Sequence, residues 1–244
     1  MNPSDYFAFA DFTRVLEHLE NAFKNDMDRY LLLTGETGVG KTRLCRQLHI
    51  GLDRCRHRVL YFSHARHLTA TALIRVLAGL LRLPTRRSHS ETLQALVTLL
   101  REQPHQLLIW FDEAHELSDE TLLEARSLAE NDLHDSCSVR ILLIGLPLLR
   151  DRLQAIASLW RRIVVRQELT GLMLDELAPF IEHHFGADNL QRLCPEAMRI
   201  LFERARGIPG LVVPMFRKIL AESEPNLPID PLIIDDILKR WELT

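Results

Sequence analysis

Cysteine is scarce in this 244-residue chain, and the four present, Cys45, Cys55, Cys137 and Cys194, stand far apart with no C-x-x-C among them. That spacing argues against a disulfide framework or a cysteine-based zinc site. It reads as buried thiols in a reducing compartment. No apolar run approaches the roughly 18 residues that a membrane span needs. The N-terminal Met-Asn-Pro-Ser-Asp has neither the basic start nor the apolar core of a signal peptide. The expectation is a cytoplasmic protein without a membrane anchor. Internal repeats and low-complexity segments are missing too. Ser63 beside His64 lies in no G-x-S-x-G elbow, so it is not read as a hydrolase nucleophile. The pairs His64 and His67, and His183 and His184, lack cysteine or carboxylate neighbours at ligand spacing and read as solvated side chains.

Net positive charge is also missing, since the formal net charge is −3. Its distribution is uneven. From Lys41 to Gln106 twelve Lys/Arg face three acids, Asp53, Glu91 and Glu102, a local charge of +9 that leaves −12 for the rest. One basic face on an acidic protein is the electrostatic footprint of a polyanion partner.

What is present is organised around residues 29–42. Arg-Tyr-Leu-Leu-Leu-Thr is a short, mostly apolar run of the kind that forms a buried strand. It leads directly into Gly35-Glu36-Thr37-Gly38-Val39-Gly40-Lys41-Thr42, which fits G-x-x-x-x-G-K-[ST] at every fixed position. In that pattern backbone N–H groups wrap a polyphosphate, the Lys reaches its terminal groups and the hydroxyl ligates Mg²⁺. Helix-forming residues from Arg43 onward complete the strand, loop and helix context. The expected ligands are ATP and Mg²⁺, with contacts from Gly35 through Thr42 and from Arg43.

Apolar runs at 58–63, 107–111, 139–144 and 163–167 predict four more strands, and 3.6-residue periodicity between them predicts helices at 12–24, 69–81, 90–102, 118–131 and 148–159. Strands alternating with helices imply a five-stranded parallel sheet covered on both faces. After residue 170 the strands stop, and helices are expected at 174–185, 195–206, 209–222 and 231–241. The organisation expected is an α/β nucleotide-binding core over 1–170 and a small helical lid over 171–244.

The strand at 107–111 ends in Asp112-Glu113. Asp112 would hold Mg²⁺ through water, and Glu113 would orient and deprotonate the attacking water. Asp112-Glu113-Ala114-His115 also spells the helicase box DEAH, but no second phosphate-binding sheet follows.

With these motifs in place the chain resembles the AAA+ ATPases of the ExeA/MuB/TniB/TnsC group, whose acidic motif commonly reads Asp-Glu-Ala-His or Asp-Glu-Ala-Gln. Leu122-Leu123-Glu124-Ala125-Arg126, Gly145-Leu146-Pro147-Leu148-Leu149 and Leu159-Trp160-Arg161-Arg162-Ile163 match the family's later segments in order. The resemblance implies a P-loop AAA+ fold and an arginine, Arg161 or Arg162, that enters a neighbouring subunit's active site. It also implies a homo-oligomeric ring or filament on double-stranded DNA. Arg66, Arg86 and Arg87, all on loops, are the expected DNA contacts.

Two departures from the family pattern stand out. Gly145-Leu146-Pro147 offers no polar side chain to sense the γ-phosphate, and Gly207-Ile208-Pro209-Gly210 has glycine where ExeA-like members carry a lid arginine. Both point to slow, assembly-dependent hydrolysis and to the transposition branch, with a transposase and a target-selection protein as partners. The alternatives are an ExeA-like secretion or envelope ATPase, whose membrane span and peptidoglycan-binding segment are not seen here, and a nucleotide-switched scaffold without DNA.

Overall fold

The computed structural model describes residues 6–25, 28–63, 66, 68–84, 88–103, 105–130, 139–225 and 227–242. Arg86, Arg87, His64, His67 and Cys137 lie outside the described residues. Packing divides the chain into two compact units, one of residues 15–35 and 41–168 and the other of residues 1–14, 36–40 and 169–244.

The first unit is built on five parallel strands: β1 (Tyr30–Thr34), β2 (His57–Phe62), β3 (Gln106–Phe111), β4 (Val139–Gly145) and β5 (Ile163–Glu168). Their order across the sheet is β2-β3-β4-β1-β5. Burial follows from that order. β1 and β4 are buried at every residue, as near-continuous apolar runs between two helical layers must be. The edge strands β2 and β5 carry mixed, more exposed patterns.

Alternation of side chains sorts the strands onto two faces. Tyr30, Leu32, Leu107, Ile109, Phe111, Ile141 and Leu143 share a core with residues of α3 (Ala70–Leu80), α4 (His89–Glu102) and α5 (Asp119–Glu130). On the other face Trp110 meets Phe23 of α1 (Ala10–Lys24) at 6.1 Å between ring centroids and His49 of α2 (Lys41–Gly51) at 6.2 Å. Caps start the helices where polar residues stand: Thr69 accepts from Ala72 N at 3.2 Å, and Ser88 accepts from Glu91 N at 3.1 Å.

The helix expected over 148–159 is two, α6 (Leu148–Ala155) and α7 (Ala157–Trp160). Ile156 breaks them apart with φ −91° and ψ 72°, outside the helical region.

The second unit is helical, with α8 (Leu177–Phe185), α9 (Ala187–Gln191), α10 (Pro195–Ala205), α11 (Pro209–Glu222) and α12 (Pro231–Glu242). Leu177, Phe180, Ile181, Leu201, Val212, Phe216, Ile219, Ile234 and Leu238 are buried, and Phe185 meets Phe216 edge to face at 4.8 Å. α9 was not expected from the sequence. The chain starts it at Gly186, whose φ of 85° ends α8 and favours glycine.

The expectation of buried thiols fails in part. Cys45 is buried, whereas Cys55 and Cys194 are exposed. Cys194 caps α10, accepting from Ala197 N at 3.5 Å, and a capping residue lies at a helix end rather than inside. Among the described residues no helix is long and apolar enough to cross a membrane.

Candidate nucleotide site

Gly35 follows β1 directly, and its N–H donates to the Gly145 carbonyl at the end of β4, 3.2 Å away. Beyond the loop, Lys41 opens α2. The residue is 7% exposed, and its ammonium donates to the Gly35 carbonyl at 2.7 Å, which offsets part of the cost of burying a cation. Gly40 has φ +107°, a conformation that only glycine adopts without strain. Of the residues between, Glu36, Thr37 and Gly38 are exposed, Val39 is buried, and Val39 N donates to Glu36 O at 3.4 Å.

Residues 36–40 group with the helical unit, and one contact there accounts for the glycine at the lid position. Gly210 N donates to Gly38 O at 3.0 Å, and a Cβ on Gly210 would fall 2.8 Å from both Gly38 Cα and Gly38 O. Any side chain at position 210, arginine included, would force these backbones apart.

Strand alternation decides where Asp112 points. Two residues beyond Trp110, it faces the α2 side of the sheet, where Thr42 lies. Thr42 Oγ1 donates to Asp112 Oδ2 at 3.1 Å, and the backbone N–H of Glu113 donates to Asp112 Oδ1 at 3.0 Å. A third donor has no motif to announce it. Tyr61, paired in register with Trp110 across β2 and β3, gives its hydroxyl hydrogen to Asp112 Oδ2. Burial and the Asp112 carboxylate together push the Tyr61 hydroxyl well above the ordinary tyrosine range, so it stays a neutral donor. Burial likewise raises the Cys45 thiol beneath, with Asp112 adding to the effect and Lys41 opposing it. The hard oxygens Thr42 Oγ1 and Asp112 Oδ2, within reach of one another, suit Mg²⁺. Arg43 is exposed on α2.

Glu113 has φ +53°, a left-handed conformation that costs a non-glycine residue on the order of 1–3 kcal/mol and clusters at functional sites. Its carbonyl accepts from Glu116 N at 2.8 Å, in the 3₁₀ turn Ala114–Glu116. Its carboxylate Oε2 lies 3.3 Å from His115 Nδ1.

The two candidate arginines differ sharply. Arg162 pairs with Glu130, donates to Ser158 O at 2.8 Å and so joins a group in which Tyr30 and Arg126 also bind Glu130. Arg161 is exposed and pairs with no side chain among the described residues. Arg66 is exposed.

A family profile described as AAA domain matches residues 25–153, more than half of the chain. This chain belongs to the AAA domain family. The match takes in Gly35 to Arg43 and Asp112 to Gly145, so the phosphate loop and the acidic motif lie within it, while Arg161, Arg162 and Gly210 lie beyond its end. The family supports ATP binding and hydrolysis in general.

Solved structures agree on the fold, a P-loop AAA+ domain with a C-terminal helical region. Cdc6p from Pyrobaculum aerophilum superposes with a TM-score of 0.70 at 17% identity, covering 98% of this chain and 69% of that one. The Aeropyrum pernix ORC2 protein, in ADPNP-ADP complexes, gives 0.63 at 13% identity, covering 93% and 66%. The Aeropyrum pernix ORC1 protein, in complex with DNA, gives 0.57 at 17% identity, covering 96% and 64%. The chain thus spans about two thirds of the length of these structures. No curated protein matches it by sequence.

Proposed function

We propose that this AAA domain is an ATP-dependent regulator of DNA transposition, which assembles side by side on duplex DNA when ATP and Mg²⁺ are bound. In this reading residues 1–170 are the nucleotide-binding core and 171–244 the lid. The observation that carries it is the Thr42–Asp112 hydrogen bond beside the buried Lys41 amine, because phosphoryl transfer needs these groups at one point.

Mg²⁺ held at this site would supply neutralisation of phosphate charge. The backbone N–H groups of Gly35 to Gly40 cradle the phosphates, and Lys41 Nζ exchanges the Gly35 carbonyl for a phosphate oxygen. Thr42 and Asp112 hold the metal. Glu113 takes a proton from water as its oxygen attacks the γ-phosphorus, and the bond to the β–γ bridging oxygen breaks to leave ADP. Arg161 of one subunit stabilises the charge growing on its neighbour's γ-phosphate, which ties turnover to assembly. Arg162, held by Glu130, keeps the segment bearing Arg161 in place.

The DNA partner rests on the +9 charge of Lys41 to Gln106, on the exposure of Arg66 and on the likeness to an ORC1 protein in complex with DNA. Arg66, Arg86 and Arg87 are the proposed phosphate contacts, which position a duplex without reading its sequence. A transposase and a target-selection protein are the proposed protein partners.

Glu113→Gln tests the chemistry. The variant is expected to bind ATP as the wild type does and to lose nearly all turnover, accumulating the assembled state. Undiminished turnover would remove Glu113 from the role of base.

A further inference from the structure

His115 is the one polar residue of the Asp-Glu-Ala-His string with no part in the reading above, and it stands where two other observations meet. Its ring is largely buried, in the 3₁₀ turn after β3. Nδ1 lies 3.3 Å from Glu113 Oε2 and 3.5 Å from the backbone N of Leu146, the first residue past β4. The seat for the ring exists because residue 145 is glycine. A Cβ there would fall 3.2 Å from His115 Nδ1, 3.4 Å from His115 N and 2.9 Å from Leu149 Cδ2. Arg152 of α6 fixes the turn from outside, donating to the carbonyls of His115 at 2.5 Å and Leu117 at 2.9 Å.

One ring nitrogen cannot serve both partners at once. To accept from the Leu146 N–H, Nδ1 must present its lone pair. To bind the Glu113 carboxylate it must carry the proton. The two neutral tautomers of His115 therefore correspond to two arrangements, one tied to β4 and one tied to Glu113. The β4 end in turn touches the phosphate loop, through the Gly35 N–H on the Gly145 carbonyl. A continuous path thus runs from Gly35 through Gly145 and Leu146 to His115 and Glu113.

The geometry points to His115 as a positioning residue for Glu113, supplying from the turn after β3 the polar group that β4 lacks at its end. With the proton on Nδ1 it holds Oε2, fixes the rotamer of the carboxylate and leaves Oε1 for water. With the lone pair turned to Leu146 it lets Glu113 go. The inference rests on Glu113 being the base.

Three variants of the full chain test it, by single-turnover hydrolysis with ATP affinity measured separately. His115→Ala is expected to lower turnover at least tenfold with ATP affinity within twofold of wild type. His115→Gln, whose amide donates to Glu113 and accepts from Leu146 at once, should recover most of that loss. Adding His115→Ala to Glu113→Gln should change nothing further. A ¹⁵N spectrum of the imidazoles gives a readout apart from turnover: the His115 Nδ1 signal should lose protonated character in Glu113→Gln. Wild-type turnover in His115→Ala, no recovery in His115→Gln, or an Nδ1 signal indifferent to Glu113→Gln would overturn the inference. Full turnover in Glu113→Gln itself would instead overturn the assignment of the base, a result distinct from these.

Discussion

Tyr61 and Thr42 donate their hydroxyl hydrogens to one oxygen, Asp112 Oδ2, from opposite elements, the edge strand β2 and the helix α2. That oxygen has two lone pairs, and both are taken. Thr42 and Asp112 would hold Mg²⁺, and the Tyr61 hydroxyl, bonded to Asp112 Oδ2, would keep the carboxylate from rotating while they do.

Tyr61→Phe should therefore raise the Mg²⁺ concentration needed for half-maximal ATP-dependent stabilisation. A hydrogen bond to a charged group is worth about 1.5–3 kcal/mol, and partial exposure of Tyr61 places it at the lower end, about tenfold. Titration of Mg²⁺ at fixed ATP, followed by thermal unfolding, measures the shift. An unchanged midpoint would refute the role given to Tyr61.

The neighbouring arginines should separate by phenotype. Arg161→Ala is expected to leave ATP binding intact and cut turnover of the assembled protein by roughly 10³, the scale on which arginine fingers act. Mixing it with Glu113→Gln subunits should restore turnover at interfaces that join an intact Glu113 to an intact Arg161. Arg162→Ala should instead cost about 1 kcal/mol of stability, the scale for a half-exposed ion pair. No restoration at any mixing ratio would count against a finger supplied in trans.

Asp11 sets a pH dependence in the helical unit. Burial pushes its carboxyl up, but hydrogen bonds from Thr170 N at 2.7 Å and Thr170 Oγ1 at 2.9 Å, with Arg14 at 2.6 Å, outweigh this and hold it below the usual aspartate range. A depressed folded-state value stabilises above the unfolded value of about 3.9 and is lost as pH falls through the folded one. Asp11→Asn should lower stability at pH 7 and flatten the loss of stability below about pH 4. Equal acid sensitivity in both proteins, read by thermal unfolding from pH 7 to 3, would contradict this.

Much of the fold was legible because the central strands are near-continuous apolar runs, and Gly35 to Thr42 and Asp112-Glu113 state their chemistry at fixed spacing. The rest depends on contacts that no local pattern encodes. Arg140 looks like a polar interruption of β4, yet it is fully buried. Its guanidinium donates to the carbonyls of Ala22, Phe23 and Asp28 at 2.6, 3.0 and 2.6 Å, closing the end of α1, a long-range arrangement. Tyr61 belongs to no motif and reaches Asp112 only because the β2–β3 register sets it beside Trp110. The break at Ile156 has no glycine or proline to mark it. The glycine at 210 looked like a lost arginine, and its reason appears only in the approach to Gly38.

The most direct test of ATP-dependent assembly on DNA is the sedimentation of Glu113→Gln with a labelled duplex, with and without ATP-Mg²⁺. The account predicts fast-sedimenting protein–DNA complexes only with ATP-Mg²⁺, weakening steeply as salt rises and lost when Arg66, Arg86 and Arg87 are all alanine. Slow sedimentation at low salt with ATP-Mg²⁺ present, or complexes indifferent to the three arginines, would contradict it.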